Sequence, residues 1–224
     1  MTHIQLQKVG GISSILQALI YVAAFIVYGG VLVYPSTDAN AVERLNFLSD
    51  NYLTLFILNL TSYVLFGILL AILVLAIHQR LKEHEMLFSK IATVFGLIWV
   101  GLVIASGMIG NIGLTQVIEM GVENPEQAMW VWTNISIVTE GLGGGNEIVG
   151  GVWVLLLSIM AWQHQLFSKI LTLLGIFVGL VGILTIYPLD IFKEIFGLSQ
   201  IVWFVWIGLY IFRNPNRDRL LSIP

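Results

Sequence analysis

Apolar residues form long runs along this chain, and short polar stretches separate the runs from one another. A helix needs about 20 mainly apolar residues to cross roughly 30 Å of hydrocarbon. The runs therefore predict an all-α, polytopic membrane protein that forms one domain over residues 1–224. Residues 36–51 are expected to be a polar loop. The six predicted membrane-spanning helices are residues 11–34, 52–78, 90–115, 146–162, 169–187 and 195–212.

A further helix is predicted immediately before the fourth span. Asn124 is a favourable N-cap, and Pro125 suits the first position of a helix. A continuous helix from Pro125 to Trp162 would be about 57 Å long, which is nearly twice the thickness of the hydrocarbon. The glycine-rich segment 141–151, GLGGGNEIVGG, is where such a helix is expected to break. We therefore predict an interfacial or re-entrant helix over residues 125–140.

Composition agrees with a membrane protein and excludes several other classes. Hydrophobic residues make up 58% of the chain and charged residues 10%, whereas about a quarter of the residues in soluble proteins are charged. The chain has no cysteine, which excludes disulfides, thiolate metal sites and cysteine nucleophiles. The net charge is −3 and no basic cluster occurs, so a nucleic-acid partner is not expected. The expected partner is the lipid bilayer.

The distribution of charge predicts the orientation, because lysine and arginine are retained on the cytoplasmic side of a membrane. If both termini are cytoplasmic, eight of the ten basic residues lie inside, and only Arg44 and Lys193 lie outside. Ten of the 13 acidic residues then lie on the outer side. The sequence therefore predicts a multi-pass membrane protein with both termini in the cytoplasm.

Glu147 is the most informative polar residue of the predicted spans. Counting at 1.5 Å per residue places it roughly 24 Å above the inner end of the fourth span. A carboxylate within hydrocarbon costs at least about 2.5 kcal/mol and normally faces water, a partner or the bundle interior. No lysine or arginine is expected at that depth. Glu147 is therefore expected to be protonated, hydrated from outside or held by side-chain amides.

Other polar side chains are predicted at a similar level and form, with Glu147, an outward-facing cavity that binds or moves a small molecule, a lipid or a cation. The candidate ligand-binding residues are Glu147, Asn146, Asn59, Asn111, Gln200 and Glu140. Three alternatives stay open. In the first, Asn146 and Glu147 cap the fourth span and bind no ligand. In the second, Glu147 is the acid or base of an intramembrane enzyme, which needs a second catalytic group. The third is an assembly protein that packs with itself or a partner through glycine faces.

No catalytic residue, metal site or cofactor site is predicted. His78, His84 and His164 lie at the cytoplasmic edge with spacings that match no metal-ligand motif. Glycines 143–145 do not form a phosphate loop, because no strand precedes them and no Gly-Lys-Ser follows. A protein without enzymatic activity is therefore favoured.

Two segments carry a resemblance to known proteins. They read GGGNEIVGG over 143–151, continuing into VWVLL, and FGLSQIVWFVWIG over 196–208. Both resemble a family of uncharacterised prokaryotic integral membrane proteins that is known only as a domain of unknown function. The resemblance covers most of the chain and implies a six-helix protein of the bacterial or archaeal inner membrane. It implies no catalytic residues.

Overall fold

The structure, a computed structural model, describes residues 2–144, 147–187 and 189–215. It is 86% helical, and its described residues contain no strand. Five helical segments among those residues are long and apolar enough to cross a membrane, and a sixth apolar helix, Lys169–Leu184, is shorter. The prediction of an all-α chain with several apolar helices typical of a membrane-embedded protein is confirmed at this level.

The helices of the described residues are α1 His3–Ile26, α2 Ala41–Asp50, α3 Tyr52–Asn59, α4 Phe66–Leu81, α5 Met86–Gly121, α6 Pro125–Thr139, α7 Ile148–His164, α8 Lys169–Leu184 and α9 Asp190–Arg213. Two π-helical turns continue or join them, π1 Val27–Val31 and π2 Leu60–Leu65, and a kink at Glu140–Gly144 follows α6. A π-turn carries one residue more than an α-turn, so it changes the direction in which the following side chains point.

The first helix begins eight residues earlier than predicted. The Thr2 hydroxyl accepts a hydrogen bond from the backbone N–H of Gln5, and the Gln5 side chain accepts one from the N–H of Thr2. This capping box starts the helix outside the apolar run. The polar residues that follow are also accommodated, because Gln7 is fully buried and donates to the carbonyl of Ala76 at 2.7 Å.

The predicted loop over residues 36–51 is wrong over its second half, which forms α2. Asn40 caps this helix by accepting from the N–H of Glu43 at 3.0 Å, and the Glu43 carboxylate accepts from the N–H of Asn40 at 3.2 Å. Leu45 and Leu48 of α2 are buried in a small apolar cluster with Leu114 of α5 and with α6. The helix exists because of this cap and this packing, although it is too polar to span a membrane.

Helix α5 has 36 residues, so it is about 54 Å long and much longer than the predicted third span. Helix α6 begins at Pro125 with the predicted Asn124 cap, whose side chain accepts from the N–H of Gln127. It then runs back along α5, since the Ser106 hydroxyl donates to the carbonyl of Thr139 at 2.9 Å. We call the end of the bundle that holds the α5–α6 connection the α6 end.

The glycine-rich segment breaks the helix as predicted. Gly143 has a φ of 136°, a conformation that side chains disfavour, and α7 begins at Ile148. Helix α7 then packs closely on α8, because a Cβ added to Gly151 would lie 2.7 Å from the carbonyl carbon of Gly182. This contact brings the end of α8 next to the start of α7. The backbone N–H of Glu147 donates to the Thr185 hydroxyl there at 2.8 Å.

Candidate ligand-binding site

A cavity of about 550 Å³ lies toward the α6 end. Its walls come from α2, α3, α5, α6 and the two π-turns π1 and π2. Hydroxyl and amide groups face it from Tyr28, Asn59, Tyr63, Ser106, Ser136 and Thr139. Apolar wall is provided by Phe47, Leu48, Leu55, Met129, Trp132 and Ile135. We call this space the larger cavity.

Arg44 of α2 is the only charged side chain in the described lining of the larger cavity. The capping box described above fixes the start of α2 and therefore the position of this residue in the fold. No described carboxylate forms an ion pair with Arg44. The larger cavity consequently combines one unpaired cation with hydroxyl groups and an apolar wall.

Two asparagines connect α3 and α5 beside this cavity. The Asn59 side-chain amide donates to Oδ1 of Asn111 at 3.0 Å, and the Asn111 amide donates to the carbonyl of Phe56 at 3.2 Å. The Tyr28 hydroxyl donates to Oδ1 of Asn59 at 3.4 Å. Asn111 is buried and does not line the cavity, whereas Asn59 does. Asn111 therefore orients Asn59 toward the cavity.

Glu147 lines a second, smaller space of about 120 Å³, which we call the chamber. One oxygen of its carboxylate, Oε2, accepts a hydrogen bond from the indole N–H of Trp99 at 3.0 Å. Five of the eleven residues that line the chamber are aromatic: Tyr21, Tyr28, Tyr63, Phe66 and Trp99. Lysine, arginine and histidine do not occur in this lining. The chamber therefore surrounds one carboxyl group with aromatic rings.

Both π-turns and the kink after α6 contribute to the chamber. Tyr28 comes from π1, Ser62 and Tyr63 come from π2, and Gly143 comes from the kink. Tyr28 and Tyr63 also line the larger cavity, so these two side chains lie between the two spaces. Short π-helical insertions in α-helices occur frequently at functional sites. Their convergence here marks the boundary between the two spaces as the most irregular part of the bundle.

Comparisons of the chain with protein-family models, with curated proteins and with solved structures found no match. The resemblance of segments 143–151 and 196–208 to a family of membrane proteins therefore stays a prediction. What the protein does has to be argued from the cavity and the chamber themselves.

The structure brings together only part of the predicted set of ligand-binding residues. Asn59 lines the larger cavity and Glu147 lines the chamber. The single cavity that was predicted therefore corresponds to two neighbouring spaces in the structure. Gln200 is fully buried in α9 and lines neither, and its side-chain amide has no hydrogen-bond partner among the described residues. Glu140 is exposed and forms an ion pair with Lys193. Asn146 lies outside the described residues.

Several residues of the site were not among the predicted set. Arg44 is the most important, and its signal in the sequence was its position as one of two basic residues on the predicted outer side. Trp99 and Tyr21 carried no such signal, because an aromatic residue in an apolar span is expected to pack in the core or face lipid. Only the fold shows that these rings surround a carboxyl group.

Proposed function

We propose that this protein crosses the prokaryotic cytoplasmic membrane six times and binds a small amphiphilic anion in the larger cavity, on the outer side of the membrane. The six spans are α1, the helical segment Tyr52–Leu81, α5, α7, α8 and α9, and α6 is an additional helix that runs back along α5 on the outer side. Helix α8 has 16 residues and is about 24 Å long, which covers most of the hydrocarbon thickness. The retention of basic residues on the cytoplasmic side supports the orientation.

The single observation that carries the proposed function is the unpaired Arg44 at the larger cavity. A volume of about 550 Å³ is within the range of sites for small molecules. A guanidinium group suits carboxylate and phosphate groups, because it donates two parallel hydrogen bonds to them. The apolar wall suits the rest of an amphiphilic molecule. The lining has no acidic side chain among its described residues, which argues against a cation as the ligand of this cavity.

Binding has better support than catalysis. The described lining of the larger cavity contains no carboxylate, histidine or lysine, which are the usual acids and bases of enzymes. Glu147 lies in the neighbouring chamber and is engaged by Trp99. The third alternative is an assembly protein without a ligand, in which the exposed Arg44 is simply solvated. We therefore favour a binding protein, and the experiment below is designed to distinguish it from an assembly protein.

The test is to identify molecules that remain bound to the purified full-length protein. Wild type, Arg44→Gln and a matched control, Arg213→Gln, are purified in the same detergent, and the bound molecules are measured by native mass spectrometry. Arg213 is exposed and lies at the opposite end of the bundle. Loss of a charge-assisted hydrogen bond is expected to weaken retention by about tenfold or more in Arg44→Gln only.

Two further measurements complete this test. A lipid headgroup and a free small-molecule carboxylate or phosphate would bind Arg44 in the same way. Extraction into organic and aqueous phases distinguishes them, because the lipid enters the organic phase. Thermal unfolding of the three proteins shows whether they fold equally well. The proposal is wrong if folded wild type retains no anionic molecule, or if Arg44→Gln retains it as well as wild type does.

A further inference from the structure

We propose that the chamber around Glu147 is a second binding site, for a small alkylammonium ion. This inference goes beyond the proposed function, because it concerns a different space and a ligand of opposite charge. It depends on three observations: the carboxyl group has no ion-pair partner, aromatic rings surround it, and the space beside it is unfilled by the described residues.

The first observation concerns charge. Described ion pairs connect Glu85 with His164 and Lys193 with Glu140 and Asp190, and none of them includes Glu147. Oε2 of Glu147 accepts from Trp99, whereas Oε1 has no hydrogen-bond partner among the described residues. An isolated carboxylate in apolar surroundings is strongly unfavourable, so the group is either protonated or paired with a cation, and a bound cation favours the charged form.

The second observation identifies the kind of cation. Aromatic faces attract ammonium ions through their quadrupoles, and cages of several rings are typical sites for alkylated ammonium groups. The chamber has rings from Tyr21, Tyr63, Phe66 and Trp99 together with a carboxylate. The buried hydroxyl of Ser62, which has no hydrogen-bond partner among the described residues, adds an acceptor for an ammonium N–H.

A metal ion fits this chamber less well. Calcium and magnesium take six or more oxygen ligands, and the chamber has one carboxylate with a few hydroxyl groups. Trp99 also directs an N–H donor at the carboxylate, and a donor cannot coordinate a metal. An alkylammonium ion needs only a few hydrogen-bond acceptors, because its alkyl groups pack against the aromatic rings.

The third observation limits the size of the ligand. A water molecule occupies about 30 Å³ in the liquid, so a chamber of about 120 Å³ has room for about four non-hydrogen atoms. Methylammonium and trimethylammonium are within this limit, and tetraethylammonium exceeds it. Entry is expected from the larger cavity past Tyr28 and Tyr63, which line both spaces.

The experiment titrates the full-length protein in detergent with methylammonium chloride and measures the unfolding temperature. Sodium chloride at equal ionic strength is the reference, and tetraethylammonium chloride is the size control. Wild type is expected to show a saturable increase with methylammonium only, because a ligand that binds the native state stabilises it. In Glu147→Gln the apparent affinity is expected to fall by about 30-fold or more.

Three variants make the test decisive. Glu140→Gln, which removes an exposed carboxylate outside the chamber, is expected to bind methylammonium as wild type does. Ala24→Leu keeps Glu147 but fills the chamber that Ala24 lines, and it is expected to abolish the increase even if Glu147→Gln does not fold. Arg44→Gln is expected to keep a saturable increase with methylammonium, so failure of the proposed function and failure of this inference are distinguishable.

Two results would overturn the inference. One is the absence of a saturable increase in folded wild type. The other is an increase of equal size with tetraethylammonium or in the Ala24→Leu variant, because both would place the effect outside the chamber.

Discussion

The indole N–H of Trp99 donates to the carboxylate of Glu147 at 3.0 Å, and it joins the middle of α5 to the residue that precedes α7. Trp99 is only 1% exposed and also contacts Trp153 of α7, with ring centroids 5.8 Å apart. The acid is therefore held by a residue of the apolar core. Its position depends on the packing of α5 against α7.

We expect Trp99→Phe to destabilise the protein by about 1–3 kcal/mol, because it removes the hydrogen bond to Glu147 while keeping an aromatic ring. The measurement is unfolding by denaturant in detergent. Trp130→Phe is the control, since Trp130 is 69% exposed and its replacement is expected to change stability by less than about 0.5 kcal/mol. Equal effects of the two substitutions would contradict a specific role for the hydrogen bond.

A double-mutant cycle tests the contact between Asn59 and Asn111. Each single change to alanine removes a side-chain hydrogen bond between α3 and α5, and the two changes together are expected to cost less than their sum. Hydrogen bonds between membrane helices contribute about 0.6 kcal/mol on average, so a coupling energy of about 0.5–1.5 kcal/mol is expected. Additive losses of stability would show that the two side chains act independently.

The close contact of α7 and α8 predicts a large effect of Gly151→Ala. The added Cβ would lie 2.7 Å from the backbone of α8, so the two helices have to separate. We expect a loss of about 1–3 kcal/mol in unfolding experiments. Gly101→Ala is the matched control, because Gly101 lies in a helix and has no atom within 4 Å of the added methyl group. Its stability is expected to be unchanged or slightly higher.

The left-handed conformation of Gly143 predicts strain in Gly143→Ala. An alanine at a φ of 136° is expected to cost about 1–2 kcal/mol, even though the nearest atom, of Val103, is 3.5 Å away. Gly141→Ala, two residues earlier in the same turn, has neither a positive φ nor a close neighbour and is expected to be tolerated. Comparable unfolding temperatures for both variants would show that the kink after α6 accommodates an alanine without strain.

The proposed orientation is tested by labelling single cysteines, which is direct because the chain has none of its own. Glu123→Cys lies between α5 and α6, and Glu83→Cys lies between α4 and α5; both positions are exposed. A membrane-impermeant maleimide is expected to label the first in intact cells and the second only after permeabilisation. The reverse pattern would place the larger cavity on the cytoplasmic side.

The features that the sequence predicted well are those set by local chemistry. Asn124 and Pro125 start a helix because a side-chain cap and a proline act within one turn. Glycine-rich sequence at 141–151 breaks a helix for an equally local reason. Helix α2 also had a local signal, since Asn40 and Glu43 have the spacing of a capping box. Because the segment lacks the apolar length of a span, the pattern of apolar runs predicts a loop there.

The division of the site into two spaces had no local signal. It results from two π-turns and a kink in distant parts of the chain that the fold brings together. Counting residues along ideal helices placed Glu147 and Asn59 at similar depth, but depth does not determine which way a side chain points. Gln200 and Glu140 also show that depth alone does not fix the direction of a side chain. Gln200 faces the bundle interior, whereas Glu140 faces Lys193 of α9.

Tyr28 and Tyr63 belong to the walls of both spaces, and this has a thermodynamic consequence. A molecule that shifts either ring while occupying one space changes the affinity of the other for its own ligand. Linkage requires the reverse effect to have the same magnitude, so the two occupancies are coupled by one free energy. If both proposed ligands bind, the sign of this free energy decides whether the anion in the larger cavity strengthens or weakens binding of the cation in the chamber.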